Sequence, residues 1–208
     1  MKKIILRIVL AIMALGGFAA LAICMQAGIT QSFDDNVYQA VARTITPAFT
    51  LFLEIITYAG NLFVVVGVCV ALLIMPSTRM KLGVPVFITV ACSMGLCYLL
   101  KSLFARPRPT AFRLIAEVGY SFPSAHAILS AALYIMLMML IYRYVKRAYI
   151  RLLLDFFLCA LILLVAYSRV YLGVHYATDI IGGWLLGFAV TLIVYTAYRL
   201  IVLKNKKE

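Results

Sequence analysis

The sequence predicts an all-α, polytopic membrane protein with six transmembrane helices and a short amphipathic helix at the outer interface. Three observations predict it. Apolar residues make up 66% of the 208-residue chain, against about 45–50% in a soluble domain. Charged residues make up only 12%, roughly half the soluble share and too few to cover a globule with polar surface. The apolar residues also gather into six runs near the ~20 residues that cross about 30 Å of hydrocarbon. Disorder, a collagen-like chain and a disulfide-stapled secreted module are excluded. Residues 1–208 read as one integral-membrane domain.

The runs are Ile4–Ala27, Tyr58–Met75, Leu82–Leu100, Ala125–Tyr142, Leu152–Tyr167 and Ile180–Tyr198. Each must be helical, because lipid offers no partner to a bare backbone amide. Lys2, Lys3 and Arg7 give the first run a positive start. It is nonetheless too long for a signal-peptide core and has no small-x-small cleavage site, so it is expected to stay as a span. In Leu21-Ala22-Ile23-Cys24 the bulky Ile23 stands where a lipoprotein signal needs a small residue. After the first span, Ser32-Phe33-Asp34-Asp35 can cap a helix start. Val37, Ala40, Val41 and Ile45 then recur at helical spacing. They predict a short amphipathic helix on the outer surface, broken by Pro47. Glu54, in the next apolar stretch, reads as an interfacial carboxylate. The fifth run is short and carries Asp155, so its helix is expected to begin earlier, within the basic residues before it. Gly182, Gly183 and Gly187 predict close packing of the sixth helix. Met136, Met138 and Met139 read as packing or lipid-facing residues. All five cysteines lie in apolar runs and read as small apolar fillers.

The net charge of +12 sits in short loops, which argues for membrane orientation and against nucleic acid as a partner. Lys2, Lys3, Arg7, Arg79, Lys81, Arg143, Lys146, Arg147, Arg151, Arg199, Lys204, Lys206 and Lys207 fall on one side of the six runs. Arg43, Lys101, Arg106, Arg108, Arg113 and Arg169 fall on the other, a division of 13 against 6. Basic loops stay in the cytoplasm. Both termini are therefore expected to be cytoplasmic in a multi-pass protein of the plasma (inner) membrane, with the second set facing outward. The charges from Lys204 to Glu208 read as a solvated end.

The outward-facing ends of the runs also carry the unusual polar residues. Lys101 ends the third run, with Arg106 and Arg108 after it. Ser124 and His126 open the fourth. Ser168 and Arg169 close the fifth, and His175 and Asp179 lead into the sixth. Ionisable groups at membrane depth are costly and tend to be functional. Lys101, Arg108 and Arg169 would repel one another unless they surround a multiply charged anion. Guanidinium forks and an ammonium suit phosphate oxygens, and a helix start near Ser124 would add N–H donors. His175 and Asp179, four apart, share a face if that segment is helical. Asp179 would then fix the His175 tautomer and leave the other nitrogen free to attack. His126, on another helix, can pass a proton to a leaving oxygen. These roles amount to two-step phosphomonoester hydrolysis, and the residues alone favour His175 over His126 as nucleophile by a narrow margin. No metal or other cofactor is expected, because three cations beside the histidines would oppose a divalent ion and already supply its charge.

Three segments resemble the signatures of the type 2 phosphatidic acid phosphatase family. Lys101 followed after six residues by Arg108-Pro109 is similar to the first, and Pro123-Ser124-Ala125-His126 to the second. Ser168-Arg169, His175 and Asp179, with five and three residues between, are similar to the third. The order is the family's, and the resemblance spans about the second half of the chain. It implies a six-helix membrane fold and a phosphohistidine intermediate. It also implies His175 as nucleophile, Asp179 as its partner, His126 as general acid and then base, and Lys101, Arg108, Ser124 and Arg169 on the phosphoryl oxygens. Ala125 stands where the family usually has glycine. Alanine keeps the N–H and favours helix, so a phosphate contact at Ala125 and activity are both expected to survive.

For single residues the plainer readings have force. Lys101 and Arg108 could each be a snorkelling anchor, and His175 alone could be structural. Arg106 stays open between head-group contact and loop support. Arg113 and Glu117 read as a solvated outer loop, and Tyr120, Phe122, Tyr171 and Trp184 as interfacial aromatics. Jointly the cations and both histidines favour a lipid phosphatase. Undecaprenyl pyrophosphate, phosphatidylglycerol phosphate and phosphatidate are its candidate substrates, with Arg106 and Arg113 available for a diphosphate. A lipid-to-acceptor phosphotransferase and a non-catalytic lipid-binding or transport protein are the alternatives. The oligomeric state is left open.

Overall fold

The structure, a computed structural model, describes residues 1–204, with Leu203 and Lys204 as backbone only. The tail charges Lys206, Lys207 and Glu208 lie outside the described residues. Helices α1 (Lys2–Gln26), α2 (Gln31–Ala42), α3 (Pro47–Thr57), α4 (Leu62–Ile74), α5 (Pro76–Thr78), α6 (Val84–Phe104), α7 (Ala125–Tyr144), α8 (Ala148–Tyr171) and α9 (Ala177–Lys204) follow in order. A π turn, Arg79–Gly83, joins α5 to α6. No strand occurs among the described residues.

Five helical stretches are long and apolar enough to span a bilayer: Lys2–Gln26, Pro76–Phe104, Ala125–Tyr144, Ala148–Tyr171 and Ala177–Val202. The predicted span Tyr58–Met75 differs. There α3 and α4 form a pair bent by 46° about a 3-10 turn at Tyr58–Gly60. Local capping explains the break. The Thr46 side chain accepts from the Phe49 N–H with Pro47 in the first turn, so Pro47 opens α3, whereas α2 already ends at Ala42. The Asn61 side chain accepts from the Phe63 N–H and starts α4 afresh. Asn and Thr are strong helix initiators, and proline fits the first turn because its missing N–H would be unpaired there anyway. The fifth span begins at Ala148, directly after Arg147, inside the basic stretch as expected.

Helix α9 packs along α1 and α7, and α7 packs in turn against α6 and α8. Three glycines set the α9 spacing. A Cβ on Gly183 would lie 2.7 Å from the Ala127 Cβ and 3.0 Å from the Ser124 carbonyl. On Gly187 it would lie 2.8 Å from the Ala131 Cβ, and on Gly182 2.8 Å from the Phe122 ring. Lipid tails are as apolar as leucine, so helices in a bilayer associate through such close van der Waals approach.

The two ends of the bundle differ in chemistry. At one end Arg7 sits 4.8 Å from the centre of the Tyr195 ring, and the Tyr198 hydroxyl bonds to Tyr144 at 2.8 Å. The same hydroxyl donates to the Lys81 carbonyl at 3.4 Å. The opposite end gathers Lys101, Arg108, His126, Arg169 and His175, so these basic residues divide between the two ends as they do in the sequence. Helix α2 covers part of this second end. Its Val37 and Val41 pack among Ala166 and Val170 of α8 and Ile180 and Trp184 of α9, so its apolar face is spent on protein. Its N-cap is Thr30, and Asp34 lies buried within its first turn instead of capping it.

Two residues read as interfacial aromatics are core residues. Phe122 is fully buried, stacked on Phe18 at 5.5 Å and edge-on to Phe104 at 5.1 Å. Tyr171 is fully buried, its hydroxyl accepting from the Thr46 N–H at 3.0 Å and bonded to the Thr50 hydroxyl at 2.9 Å. The segment between α6 and α7 folds back into the bundle end, and α3 covers the end of α8.

Replacing Gly183 with alanine should push α7 away from α9 and cost about 1–3 kcal/mol, the usual range for overpacking. Thermal unfolding of the purified variant in detergent measures this, and its midpoint should fall.

Candidate active site

Helix termini place the polar residues. Lys101 lies in the last turn of α6, and Ala105, at φ 44°, turns the chain into the segment that carries Arg106 and Arg108. Ser124 is the N-cap of α7, its hydroxyl accepting from the Ala127 N–H, and His126 follows in the first turn. Arg169 lies in the last turn of α8 and Asp179 in the first turn of α9. The intervening turn carries His175 and needs a glycine. Gly173 has φ +73°, and a Cβ there would lie 2.1 Å from the Phe112 carbonyl oxygen. Only glycine meets both conditions.

His175 is 2% exposed. Its Nδ1 is 3.3 Å from Asp179 Oδ2, and its Nε2 is 3.2 Å from an Arg108 Nη1. A guanidinium can only donate, so Nε2 holds the lone pair and Nδ1 the proton. Burial pushes the His175 pKa down to about 4, against the pull of Asp179. The imidazole is therefore neutral at neutral pH, and His175 lines a cavity of about 450 Å³ with Lys101, Arg108, Tyr120, Ala125 and His126 among others.

Asp179 is saturated. Its Oδ2 accepts from the Ser121 hydroxyl and, at 2.9 Å, from the Tyr176 N–H, and its Oδ1 accepts from Arg106 Nη1 at 2.7 Å. The other Arg106 terminal nitrogen donates to Asp34 at 2.7 Å. Burial disfavours the Arg106 charge, but Asp179 and Asp34 more than offset this and raise its pKa above the ordinary arginine value.

The remaining cations meet acceptors from the segment 117–121. Lys101 donates to the Tyr120 and Ser121 carbonyls at 2.5 and 3.4 Å. Arg108 donates to the Gly119 and Val118 carbonyls at 2.9 and 3.0 Å. Arg169, 1% exposed, donates to Thr57 at 3.0 Å and to Glu117 at 2.5 Å, while its Nε is buried without a partner. Glu117 also lies 3.9 Å from Arg108. It stands, with His126 and Asn61, between the first cavity and a second of about 470 Å³ that Arg169 lines. A carboxylate thus sits between two guanidinium groups, where an anion is most favoured.

The structure therefore brings Lys101, Arg108, Ala125, His126, His175 and Asp179 to one place, with Arg169 just behind Glu117. Ser124 lies beneath them. It lines neither cavity, and its N–H donates to the Asp179 carbonyl at 3.1 Å. Glu117 was expected in a solvated loop but pairs with two site arginines, because the segment folds inward. Arg113 remains exposed and bonds the Pro109 carbonyl at 2.8 Å. Sequence reasoning missed Ser121 and the pairing of Asp34. Neither had a spacing signal, since both partners come from distant segments. No three of His, Cys, Asp and Glu come close enough to ligate a metal among the described residues.

Residues 82–202 match the model of the PAP2 superfamily. The chain belongs to that superfamily. It is 33% identical over 96 residues to phosphatidylglycerophosphatase B of Bacillus subtilis, covering 46% of this chain and 47% of that protein. It is 32% identical over 136 residues to an undecaprenyl-diphosphatase of Sulfolobus acidocaldarius, covering 62% and 60%. The chain thus spans about half of the curated relatives' length. The fold is similar to that of a transmembrane PAP2-type phosphatidylglycerolphosphate phosphatase of Bacillus subtilis, with a TM-score of 0.81, 24% identity and coverage of 89% and 94%. It is similar as well to Aquifex aeolicus LpxE, with a TM-score of 0.64, 20% identity and coverage of 78% and 94%.

Glu117 pairs with Arg169 and lies beside Arg108, so an anion drawn to these guanidinium groups would meet its negative charge. Glu117→Gln should therefore tighten the binding of orthovanadate, a phosphate analogue, by about tenfold, equivalent to 1.4 kcal/mol. Calorimetric titration of the purified protein checks this, and Arg169→Gln should weaken the same binding.

Proposed function

We propose that this PAP2 protein is a membrane lipid phosphatase that acts through a phosphohistidine on His175. The observation that carries the reading is the pair of contacts on the buried His175 ring, with Asp179 on Nδ1 and Arg108 opposite Nε2 at the cavity wall. Nε2 attacks phosphorus, an N–P bond forms, and the P–O bond to the lipid breaks. His126, which lines the same cavity, gives a proton to the leaving oxygen. It then takes one from water as water attacks phosphorus and the N–P bond breaks, freeing inorganic phosphate. Lys101, Arg108 and Arg169 hold the equatorial oxygens, joined by N–H groups at the start of α7, which Ser124 caps and Ala125 opens. Removing one such donor typically costs about 2.7–4 kcal/mol of transition-state stabilisation.

The substrate class follows from the cations. A diphosphate asks for more positive charge than a monophosphate, and Arg106 and Arg113 were the spare residues. Arg106 is held by two carboxylates, and neither residue lines the cavity. This favours a phosphomonoester on a glycerolipid, such as phosphatidylglycerol phosphate, over undecaprenyl diphosphate. The basic residues at the end of the bundle opposite the site support a site open to the extracytoplasmic face of the plasma membrane, with cytoplasmic termini.

Phosphate release from a panel of purified phosphatidylglycerol phosphate, phosphatidate and undecaprenyl diphosphate tests the reading. Phosphatidylglycerol phosphate should be turned over fastest. His175→Ala should abolish turnover and trapped phosphoenzyme while the helical circular dichroism signal persists. Phosphate release by that variant would overturn the assignment.

Protonation of Nε2 removes the attacking lone pair. Because burial holds the His175 pKa near 4, phosphoenzyme formation should persist as pH falls from 7 to about 5, where an ordinary histidine of pKa about 6.5 would already be cationic. It should fall away only near pH 4. Rapid-quench trapping across this range measures it.

A further inference from the structure

A buried ion cluster, Arg106 between Asp34 and Asp179, lies behind the site. We propose that Arg106 and Asp34 are positioning residues that aim and charge the Asp179 carboxylate. The proposal rests on the His175–Asp179 reading above.

Arg106 cannot serve as a head-group ligand as it stands. Its terminal nitrogens bond Asp179 and Asp34, each at 2.7 Å. One face of its guanidinium covers the Tyr176 ring at 4.2 Å, the residue is 8% exposed, and it lines neither cavity at the site. Its bonds set geometry instead. By holding Oδ1 of Asp179, Arg106 fixes the carboxylate's rotation so that Oδ2 is the oxygen turned to His175.

Asp34 completes the arrangement from far away in sequence. It lies on α2, outside the segment 82–202 that matches the family model. Its Oδ1 accepts the Thr178 N–H at 2.9 Å and its Oδ2 the Thr178 hydroxyl at 2.6 Å. Asp34 therefore caps the start of α9 from another helix, one residue before Asp179. It also supplies Arg106 with a second counter-charge. One guanidinium shared by two buried carboxylates leaves a net negative charge. Bond formation at Nε2 puts positive charge on the imidazole, and Asp179 must meet it. Without Asp34, Arg106 would draw on Asp179 alone and leave less of its charge for the ring.

Kinetics of Arg106→Gln, Asp34→Asn, Asp179→Asn and the double variant R106Q/D179N test this. The substrate is phosphatidylglycerol phosphate in mixed micelles, or undecaprenyl diphosphate if the wild type prefers it. Arg106→Gln should lower kcat and the phosphoenzyme formation rate about 100-fold with KM within about 3-fold, and Asp34→Asn should lower kcat about tenfold. In the Asp179→Asn background, Arg106→Gln should cost less than about 3-fold, because a residue acting through another adds nothing once that one is gone. Arg106→Lys, one point charge in place of a fork, should restore part of the loss and folds more readily if the glutamine variant does not. A loss confined to KM, a full additive cost in the double variant, or wild-type kcat in Asp34→Asn would overturn the proposal. Wild-type kcat in Asp179→Asn would instead sink the reading of the dyad itself.

Discussion

A charge removed from water must be met by another charge or by hydrogen bonds, and at this end of the bundle one arginine meets that demand for two helices at once. Arg106 lies between the fully buried carboxylates of Asp34 and Asp179. Breaking such a pair by removing one partner is severe, commonly about 3–5 kcal/mol, because the remaining charge stays buried. The cluster therefore locks α2, the segment after α6 and the start of α9 into one relation. His175, four residues before Asp179, inherits its place from that lock.

Packing sets the remaining distances. Glycines on α9 let α7 come close enough for the Ser124 N–H to reach the Asp179 carbonyl. The start of the helix that carries His126 is thereby tied to the start of the helix that carries Asp179. Gly173 does the same for the turn before His175, letting the Phe112 carbonyl pass against its backbone. His126 at the start of α7 and His175 in the turn before α9 then line one cavity without bonding each other.

The cations are held by the protein's own acceptors. Carbonyls of Val118, Gly119, Tyr120 and Ser121 and the Glu117 carboxylate bind Lys101, Arg108 and Arg169. This resolves the repulsion that three clustered cations would otherwise create, and it preorganises them around the region where an anion is favoured. It also makes the segment 117–121 part of the site, although its sequence has the polarity of an ordinary outer loop.

Much was legible in the sequence, for definite physical reasons. Membrane spans follow from the length of apolar runs, because hydrocarbon thickness fixes a residue count and lipid enforces helix. Charge asymmetry foretold the two ends of the bundle, and the placement of Lys101, Arg108, His126 and His175 at the ends of the apolar runs foretold that they would meet, whereas Ser124 lies beneath the cavity and Arg169 behind Glu117. Other features depend on segments far apart in the chain, and no local pattern encodes those. Asp34 looked like a cap until α2 folded against α9. Phe122 and Tyr171 looked like interfacial aromatics until the segments beside them turned inward. Glu117 looked solvated until it met Arg169, and the bend between α3 and α4 hid within one apolar run. Residue type and spacing determined the class of protein and the groups it carries; only the packing of distant segments decided which of those groups are paired, which are buried and which face the cavity.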